Sequence, residues 1–181
     1  MKYLDKINII DIEATCWESG IPPKGIYSDI IEIGICELDT KTLERSNKRS
    51  LIVIPTTSEI TKFCTELTTI NKELIDSEGI LLQEALEIIK KDYLIKDRAW
   101  ASWGAYDREQ FEGQCRRENI EYPFSNTHYN LDNLFALKNK LNVEIEMDQA
   151  MEYLHLSLEG IHHRGADDAW NIALIMKSLL I

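Results

Sequence analysis

Two acidic side chains interrupt an apolar run near the start of the chain, at Ile9 to Trp17 (IIDIEATCW), in a β-strand pattern that begins near Ile7. Asp11 and Glu13 are two positions apart, and a strand points alternate side chains to the same face. The apolar neighbours predict that this strand is buried. Two ionised carboxylates side by side need a positive partner there, because desolvation and mutual repulsion are both costly. A divalent cation would meet that need, and a buried Lys or Arg is the alternative.

The length and composition predict one globular domain over residues 1–181. The 181 residues are 44% hydrophobic and 28% charged, as in an ordinary soluble protein. No apolar stretch has the length of a signal peptide or a membrane span, so we expect a cytoplasmic protein. The four cysteines are scattered without a C-x-x-C pair, which argues against a thiolate zinc site and against a disulfide framework.

The charge balance argues against a protein that binds duplex nucleic acid tightly by overall attraction. Lys and Arg number 20 against 31 Asp and Glu, which gives a formal net charge of −11. Metal ions at a carboxylate cluster would supply local positive charge that this count leaves out. A short or single-stranded nucleic acid therefore stays possible as a substrate.

Patterns along the chain predict a mixed sheet covered by helices. After an irregular loop at 18–28, β-rich runs at Ile30–Asp39 and Arg49–Pro55 are joined by a hairpin connection, and a further strand is expected at Ala99–Gly104. Helical spacing begins at Leu82. Further helices are expected in the segments DREQFEGQCRREN, YNLDNLFALKNKL (after a short strand), MDQAMEYLHL and DDAWNIALIMKSLLI. Three leading strands followed by helices and strands are typical of an α/β sandwich with helices on both faces.

Further acids stand where predicted strands end or helices begin. Asp107 follows the strand at Ala99–Gly104, and Asp167 and Asp168 open the last helix. Each has an alternative interpretation as a helix cap, since Asp107 with Gln110 fits the capping-box pattern. Together with the pair on the first strand, however, they predict one shared site.

His162 and His163 precede the last two acids. A histidine has an ordinary pKa of about 6.5, so it can take a proton from a water molecule near neutral pH. A zinc site on the two histidines is a weak alternative, because adjacent ring nitrogens seldom converge on one ion. Carboxylate-rich sites favour Mg²⁺ or Mn²⁺.

These motifs resemble those of the DEDDh 3′→5′ exonucleases, a family with a ribonuclease H-like fold. The first motif, D-x-E, is matched by DIEAT, and the second, an Asp after a strand, by WGAYD. The third, a His five residues before an Asp, is matched by His163 and Asp168 in HRGADDAWNIA. His162 and Asp167 satisfy the same spacing, so a second register remains open. The tyrosine-using branch is disfavoured, since Arg164 stands four residues before Asp168.

The resemblance implies a ribonuclease H-like mixed sheet of about five strands and a metal-dependent reaction. Asp11, Glu13, Asp107 and Asp168 would hold two Mg²⁺ or Mn²⁺ ions, and His163 would act as general base. Nucleoside monophosphates would leave one at a time from the 3′ end of single-stranded RNA or DNA. The residues implied at the substrate are the backbone at Ala14, Thr15 and Cys16 and the aromatic side chains of Trp17, Phe63 and Tyr106.

Some of these assignments have alternatives. The three aromatic side chains could instead pack in the core, as Trp100, Trp103 and Trp170 are expected to do. Glu32 could support the site structurally, Arg164 could contact phosphate, and Lys24 is expected to be a solvated surface charge.

The branch that the chain most resembles trims the 3′ ends of histone messenger, ribosomal and small RNAs. FCTELTTI at Phe63 to Ile70 is similar to that branch's F-C-x-x-L-T-G-I, with Thr69 in place of the glycine. Rival interpretations are a DNA-proofreading subunit, an oligoribonucleotide-degrading enzyme, and a non-catalytic module that binds RNA or a regulatory protein. The motifs leave the oligomeric state and the natural substrate open.

Overall fold

The computed structural model describes residues 3–181, and its centre is a five-stranded mixed sheet. β1 pairs antiparallel with β2 and parallel with β4, while β3 and β5 form the two edges. The predicted α/β fold with about five strands is confirmed. The strands, in the spatial order β3-β2-β1-β4-β5, are β1 (Tyr3–Ala14), β2 (Ile30–Asp39), β3 (Arg45–Ile52), β4 (Arg98–Ser102) and β5 (His128–Asn130).

Helices cover both faces of the sheet, as predicted. Ile10 and Ile12 of β1 belong to the core on one face, and Ile7 and Ile9 to the core on the other. Asp11 and Glu13 share the second face, because strand side chains alternate. The helices are α1 (Lys62–Thr68), α2 (Lys72–Glu78), α3 (Leu82–Tyr93), α4 (Tyr106–Glu118), α5 (Leu131–Asn139), α6 (Met147–Tyr153) and α7 (Gly165–Leu179). The first face packs against α3 and α4, and the second against α5, α6 and α7.

The predicted hairpin between β2 and β3 is correct, but its bounds were wrong. β3 begins at Arg45 rather than Arg49, and it ends at Ile52 rather than Pro55. The chain reverses at once because the Asp39 carboxylate accepts from the backbone N–H groups of Lys41 and Thr42, both at 2.8 Å. The first residues of β3 are polar and partly exposed on an edge strand, so the sequence has no apolar alternation there.

Helices α1 and α2 had no sequence prediction. Each has seven residues, which is too short for a helical apolar repeat to stand out. Each begins at a capping side chain: the Thr61 hydroxyl accepts from the N–H of Cys64 at 3.0 Å, and the Asn71 amide oxygen from the N–H of Leu74 at 2.9 Å. The Thr61 hydroxyl also donates to the carbonyl of Cys16 at 2.8 Å, which holds α1 and its Phe63 beside the chain that follows β1.

The tryptophans follow the prediction to different degrees. Trp100 is fully buried, whereas Trp103 and Trp170 are partly buried against the second core.

Within residues 3–181, no helix has both the length and the apolar character needed to cross a membrane.

Candidate active site

The start of α7 lies directly on the sheet beside the two acids of β1. A Cβ atom added to Gly34 would lie 1.8 Å from the carbonyl carbon of Gly165. Gly34 faces Asp11 across the β1–β2 ladder, so two glycines let the backbone of α7 approach this point of the sheet. Asp168, in the first turn of α7, is thereby placed next to β1.

Asp11, Glu13 and Asp168 converge on one point. Each offers a carboxylate oxygen, and these oxygens all lie within 4.8 Å of one another. Asp107 approaches from the start of α4, and its Oδ1 accepts from the N–H of Ile12 at 2.9 Å. Glu13 is 9% exposed and Asp107 and Asp168 are each 4% exposed, while Asp11 is partly buried. Four predicted acids from three separate regions thus meet at the end of β1.

The four carboxylates disfavour one another's ionisation. Burial raises the pKa of Asp11 well above its ordinary value, and the charges of Asp107, Glu13 and Asp168 add to this rise. Burial and the charges of Asp168, Glu32 and Asp107 raise the pKa of Glu13 to about 8, and burial raises that of Asp107 to about 7. The pKa of Asp168 is also raised by burial, against the lowering effect of His162. The cluster therefore needs more positive charge than the neighbouring Arg164 and His162 supply.

A buried Lys or Arg does not supply that charge. Among residues 3–181, no Lys or Arg forms an ion pair with any of the four acids. The nearest buried arginine pair belongs to Glu32, which faces Glu13 across the ladder and accepts from Arg164 Nε at 2.9 Å. An all-oxygen set of converging carboxylates fits a hard divalent cation such as Mg²⁺ or Mn²⁺.

The two possible registers of the third motif separate in space. Asp168 joins the cluster, whereas the Asp167 carboxylate turns toward the N–H of Ile161 and the ammonium group of Lys48. The two histidine rings stack with centroids 4.0 Å apart. His162 Nδ1 lies 3.1 Å from Asp168 Oδ2, and the backbone N–H of His163 donates to that same oxygen at 2.8 Å. Both rings are therefore beside Asp168, and the choice of base rests on more than proximity.

The capping interpretations of the acids were wrong. The N-cap of α4 is Ala105 and that of α7 is Arg164, and neither cap has a side-chain hydrogen bond. In a capping box the amide oxygen of Gln110 would accept from the N–H of Asp107, whereas the bond formed by this side chain is a donation from its amide nitrogen to the carbonyl of Ser28 at 2.7 Å. Asp107 and Asp168 are thus free of the structural role that a helix start would give them.

The chain just after Glu13 is held rigidly. The Thr15 hydroxyl accepts from the N–H of Asp29 at 2.9 Å and contacts the Ser58 hydroxyl at 2.6 Å. Asp29 is fully buried and also accepts from Arg117 and from the N–H groups of residues 56–58. Sequence reasoning missed Asp29, although an acid directly before the apolar run of β2 was a visible signal. Its bonds shape the backbone at Ala14, Thr15 and Cys16 that was predicted to meet the substrate.

The predicted aromatic contacts surround this backbone at the surface. Tyr106 is 54% exposed and Phe63 is 37% exposed, so packing in the core was the wrong alternative for both. Trp17 is partly buried. Phe63 is carried on α1, which the Thr61 hydroxyl ties to the carbonyl of Cys16 at 2.8 Å.

The two basic residues considered beside the site, Lys24 and Arg164, differ in whether they have a partner. Lys24 is exposed in the loop, in line with a surface charge, and Arg164 is engaged by Glu32 rather than open for phosphate.

Comparison with known proteins places this site in a family. The RNase_T family, described as Exonuclease, matches residues 9–176. The chain is 30% identical over 193 residues to human 3′-5′ exoribonuclease 1, covering 98% of this chain and 53% of that protein. It is 26% identical over 192 residues to 3′-5′ exonuclease Snipper of Drosophila melanogaster, covering 94% and 68%. The chain therefore spans about half the length of its human relative.

A solved structure agrees in fold and in family. The nuclease domain of 3′hExo, described as a DEDDh family member bound to rAMP, superposes with a TM-score of 0.86 at 28% identity, over 98% of this chain and 92% of that one. The resemblance found in the sequence is thus confirmed. The chain belongs to the RNase_T exonuclease family, and its relatives include DEDDh nucleases.

Proposed function

We propose that this chain is a metal-dependent 3′→5′ exonuclease that removes nucleoside monophosphates from the 3′ ends of single-stranded RNA or DNA, with RNA favoured. The observation that carries the proposal is the convergence of oxygens from Asp11, Glu13 and Asp168 within 4.8 Å, with no Lys or Arg paired to them in the described part of the chain. Buried acids of this kind are costly to a fold unless a cation uses them.

The cofactor proposed is a pair of Mg²⁺ or Mn²⁺ ions held by Asp11, Glu13, Asp107 and Asp168. When bound, such ions lower the pKa of water and offset negative charge at a scissile phosphate. Three of the acids offer converging oxygens, and Asp107 stands beside Asp11 as its strongest charged neighbour. The raised pKa values of Asp11 and Glu13 support this proposal, because a bound cation would relieve the repulsion that contributes to them.

His163 is the proposed general base. Burial and the neighbouring His162 lower the pKa of His163, so its ring is neutral and able to accept a proton at neutral pH. The backbone N–H of His163 donates to Asp168 Oδ2, and this bond fixes the position of the His163 backbone relative to the acids. His162 contacts the Asp168 carboxylate through Nδ1 and would orient it.

The substrate proposed is a single strand entering by its 3′ end. The rigid backbone at Ala14, Thr15 and Cys16 would contact the terminal nucleotide, and the exposed ring of Tyr106 with those of Trp17 and Phe63 would stack on bases. Stacking accepts any base, so little sequence preference is expected. Human 3′-5′ exoribonuclease 1, and a 3′-exonuclease whose solved structure is described as 3′-end specific recognition of histone mRNA stem-loop, support RNA as the favoured class.

A ladder assay tests the proposal. Single-stranded RNA and DNA with a 5′ label are incubated with the protein in Mg²⁺ or Mn²⁺, with and without chelator. We expect a ladder that shortens from the 3′ end, vanishes with chelator and vanishes in Asp11→Ala. The matched control is Glu109→Gln, which removes an exposed acid from the same end of α4 and should leave the ladder unchanged. Intact substrate with every metal would refute the function.

A second candidate is a regulatory module that binds RNA or protein on the same fold without catalysis. The presence of every acid of the motif, together with His163, disfavours it, since binding alone does not need them. A DNA-proofreading or oligoribonucleotide-degrading role would appear in the same assay as a preference for one sugar or for a substrate length.

The proposed location is the cytoplasm. The net charge of −11 predicts modest affinity for long nucleic acids without a helper.

A further inference from the structure

Asp167, the neighbour of Asp168, faces the loop that carries the histidines. Its Oδ2 accepts from the backbone N–H of Ile161 at 2.8 Å, and its Oδ1 forms an ion pair with Lys48 of β3. The side chain is partly buried between these partners. In the first turn of α7, the Asp168 carboxylate thus enters the acidic cluster. The carboxylate of the preceding residue, Asp167, faces the segment just before His162.

Gly160 shows how closely this loop lies on Asp167. Its backbone has φ +86°, and a Cβ added there would lie 2.3 Å from Asp167 Cγ and 2.4 Å and 2.5 Å from the two carboxylate oxygens. No side chain could occupy that space without moving the carboxylate. The loop backbone is therefore seated directly on Asp167.

Asn171, one turn further along α7, holds the same loop at a second point. Its amide oxygen accepts from the N–H of Glu159 at 3.0 Å, and its amide nitrogen donates to the carbonyl of Glu159 at 3.1 Å. The loop ends at His163, whose backbone has φ +62°. A residue with a Cβ seldom keeps that conformation unless its surroundings impose it, and here the segment before it is tied down at Glu159 and Ile161.

We propose that Asp167, braced by Lys48, is a positioning residue that fixes the histidine loop so that the ring of His163 is presented to the acidic cluster. This rests on the proposed function, in which His163 is the base. Asp167 acts through the backbone of Ile161 and touches neither the cluster nor the substrate. An error of about 1 Å in the placement of a reacting group can cost roughly 100-fold in rate, so a small shift of this loop is enough to matter.

The first test separates turnover from binding. In Asp167→Ala we expect kcat for single-stranded RNA in Mn²⁺ to fall by about 10- to 100-fold, with KM and the Kd of Mn²⁺ within twofold of the unaltered protein. Asp167→Asn keeps an acceptor for the N–H of Ile161 and should recover most of the rate. Lys48→Met removes the ion pair with Asp167, together with the contact of Lys48 Nζ with the Trp170 ring at 5.8 Å, and should lower kcat less than Asp167→Ala does.

A second test does not depend on activity. Hydrogen exchange at the amide of Ile161 should be faster in Asp167→Ala by tenfold or more, and the ring signals of His162 and His163 in NMR spectra should shift or broaden. The control is Asp76→Ala, which removes an exposed acid paired with Lys72 on α2, far along the chain. It should leave kcat, the Ile161 amide and both histidine rings unchanged.

The outcomes separate this proposal from the proposed function. If the unaltered protein has no nuclease activity but Asp167→Ala still frees the Ile161 amide and the histidine rings, the function fails and the loop-holding role stands. If the exchange rate and the histidine signals do not change, the positioning role is wrong whatever the activity. A fall in Mn²⁺ affinity that matches the fall in kcat would place the effect on Asp168 and would also refute it.

Discussion

Gly165 of α7 lies in van der Waals contact with Gly34 of β2, at the ladder position that faces Asp11. A Cβ on Gly165 would be only 3.0 Å from the Gly34 nitrogen and 2.9 Å from the Asp11 carbonyl oxygen. The two residues are 131 positions apart, yet their contact sets the depth of α7 on the sheet. Through it, the Asp168 carboxylate reaches those of Asp11 and Glu13.

Gly34→Ala should therefore disrupt both stability and the site. The added methyl would overlap backbone atoms of Gly165 that cannot rotate away, since a Cβ there would lie 1.8 Å from a carbonyl carbon. We expect the free energy of unfolding to fall by about 3 kcal/mol, at the upper end of ordinary overpacking. Urea denaturation measures this loss, and calorimetric titration should show weaker Mn²⁺ binding because Asp168 is displaced.

Gly113→Ala is the matched control. Gly113 lies inside α4, and a Cβ there meets nothing within 4 Å. Alanine should raise the free energy of unfolding by about 0.5–1 kcal/mol, since glycine is a poor helix residue. Equal effects of the two substitutions would show that the contact of Gly34 with Gly165 does not limit the approach of α7.

The acidic strand could be predicted because two local rules agree there. Asp11 and Glu13 alternate with Ile10 and Ile12, and a strand period of two puts both acids on one face whatever the rest of the fold. The site's remaining acids were predicted through spaced motifs rather than through periodicity. Their meeting point depends on the glycine contact between β2 and α7, which no local pattern indicates.

The supporting pairs could not be predicted for a similar reason. Glu32 with Arg164, and Asp167 with Lys48, join positions 132 and 119 apart. A single sequence shows each charge but not its partner, so Arg164 was assigned to phosphate when it is engaged by Glu32. Helices α1 and α2 were missed and the polar start of β3 was placed too late, because these segments carry too few apolar residues for either period to show.

Thr69→Gly should stabilise the protein. Thr69 ends α1 with φ +63°, a left-handed conformation that costs a residue with a Cβ about 1–2 kcal/mol. Glycine adopts it freely but loses more chain entropy on folding, by roughly 0.5–1 kcal/mol. The difference between these two effects predicts that the free energy of unfolding rises by about 0.5–1 kcal/mol, which thermal unfolding would detect as a higher Tm.

Thr68→Gly is the comparison for that change. The Thr68 hydroxyl is buried, donates to the carbonyl of Cys64 at 2.8 Å and accepts from the N–H of Ile70 at 3.1 Å. Its loss should lower Tm. If Thr69→Gly also lowers Tm, then the contact of the Thr69 hydroxyl with Arg164, at 3.4 Å, contributes more than the backbone strain costs.

The metal-free protein should lose stability as pH rises from 7 to 8. Burial and the charges of neighbouring carboxylates raise the pKa of Glu13 to about 8 and that of Asp11 well above its ordinary value, and burial raises the pKa of Asp107 to about 7. In the unfolded chain these groups titrate near pH 4, so across this range the folded state holds more protons. Stability then falls as pH rises, because deprotonation favours the unfolded chain.

Chemical denaturation in chelator at pH 7 and pH 8 measures this slope. Asp11→Asn removes one of the repelling carboxylates, so it should raise metal-free stability at pH 8 and flatten the slope. Added Mn²⁺ should stabilise the unaltered protein more at pH 8 than at pH 7, since the ion and protons compete for the same oxygens. A flat profile in chelator would mean that the acids are relieved by something other than a proton or a metal.

His163→Ala should reduce turnover far more than His162→Ala. A general base is typically worth about 10²–10⁴-fold, so kcat for His163→Ala should fall by that amount. His162 contacts Asp168 through Nδ1, so its loss should weaken Mn²⁺ binding slightly and change kcat little. Rates measured at saturating Mn²⁺ separate these two effects.

Because the two histidine rings stack 4.0 Å apart, each substitution also opens space beside the other ring. Replacing each histidine by Gln controls for that loss of packing. The reverse order of kcat losses would assign the base to His162, with Asp168 still in the acidic cluster.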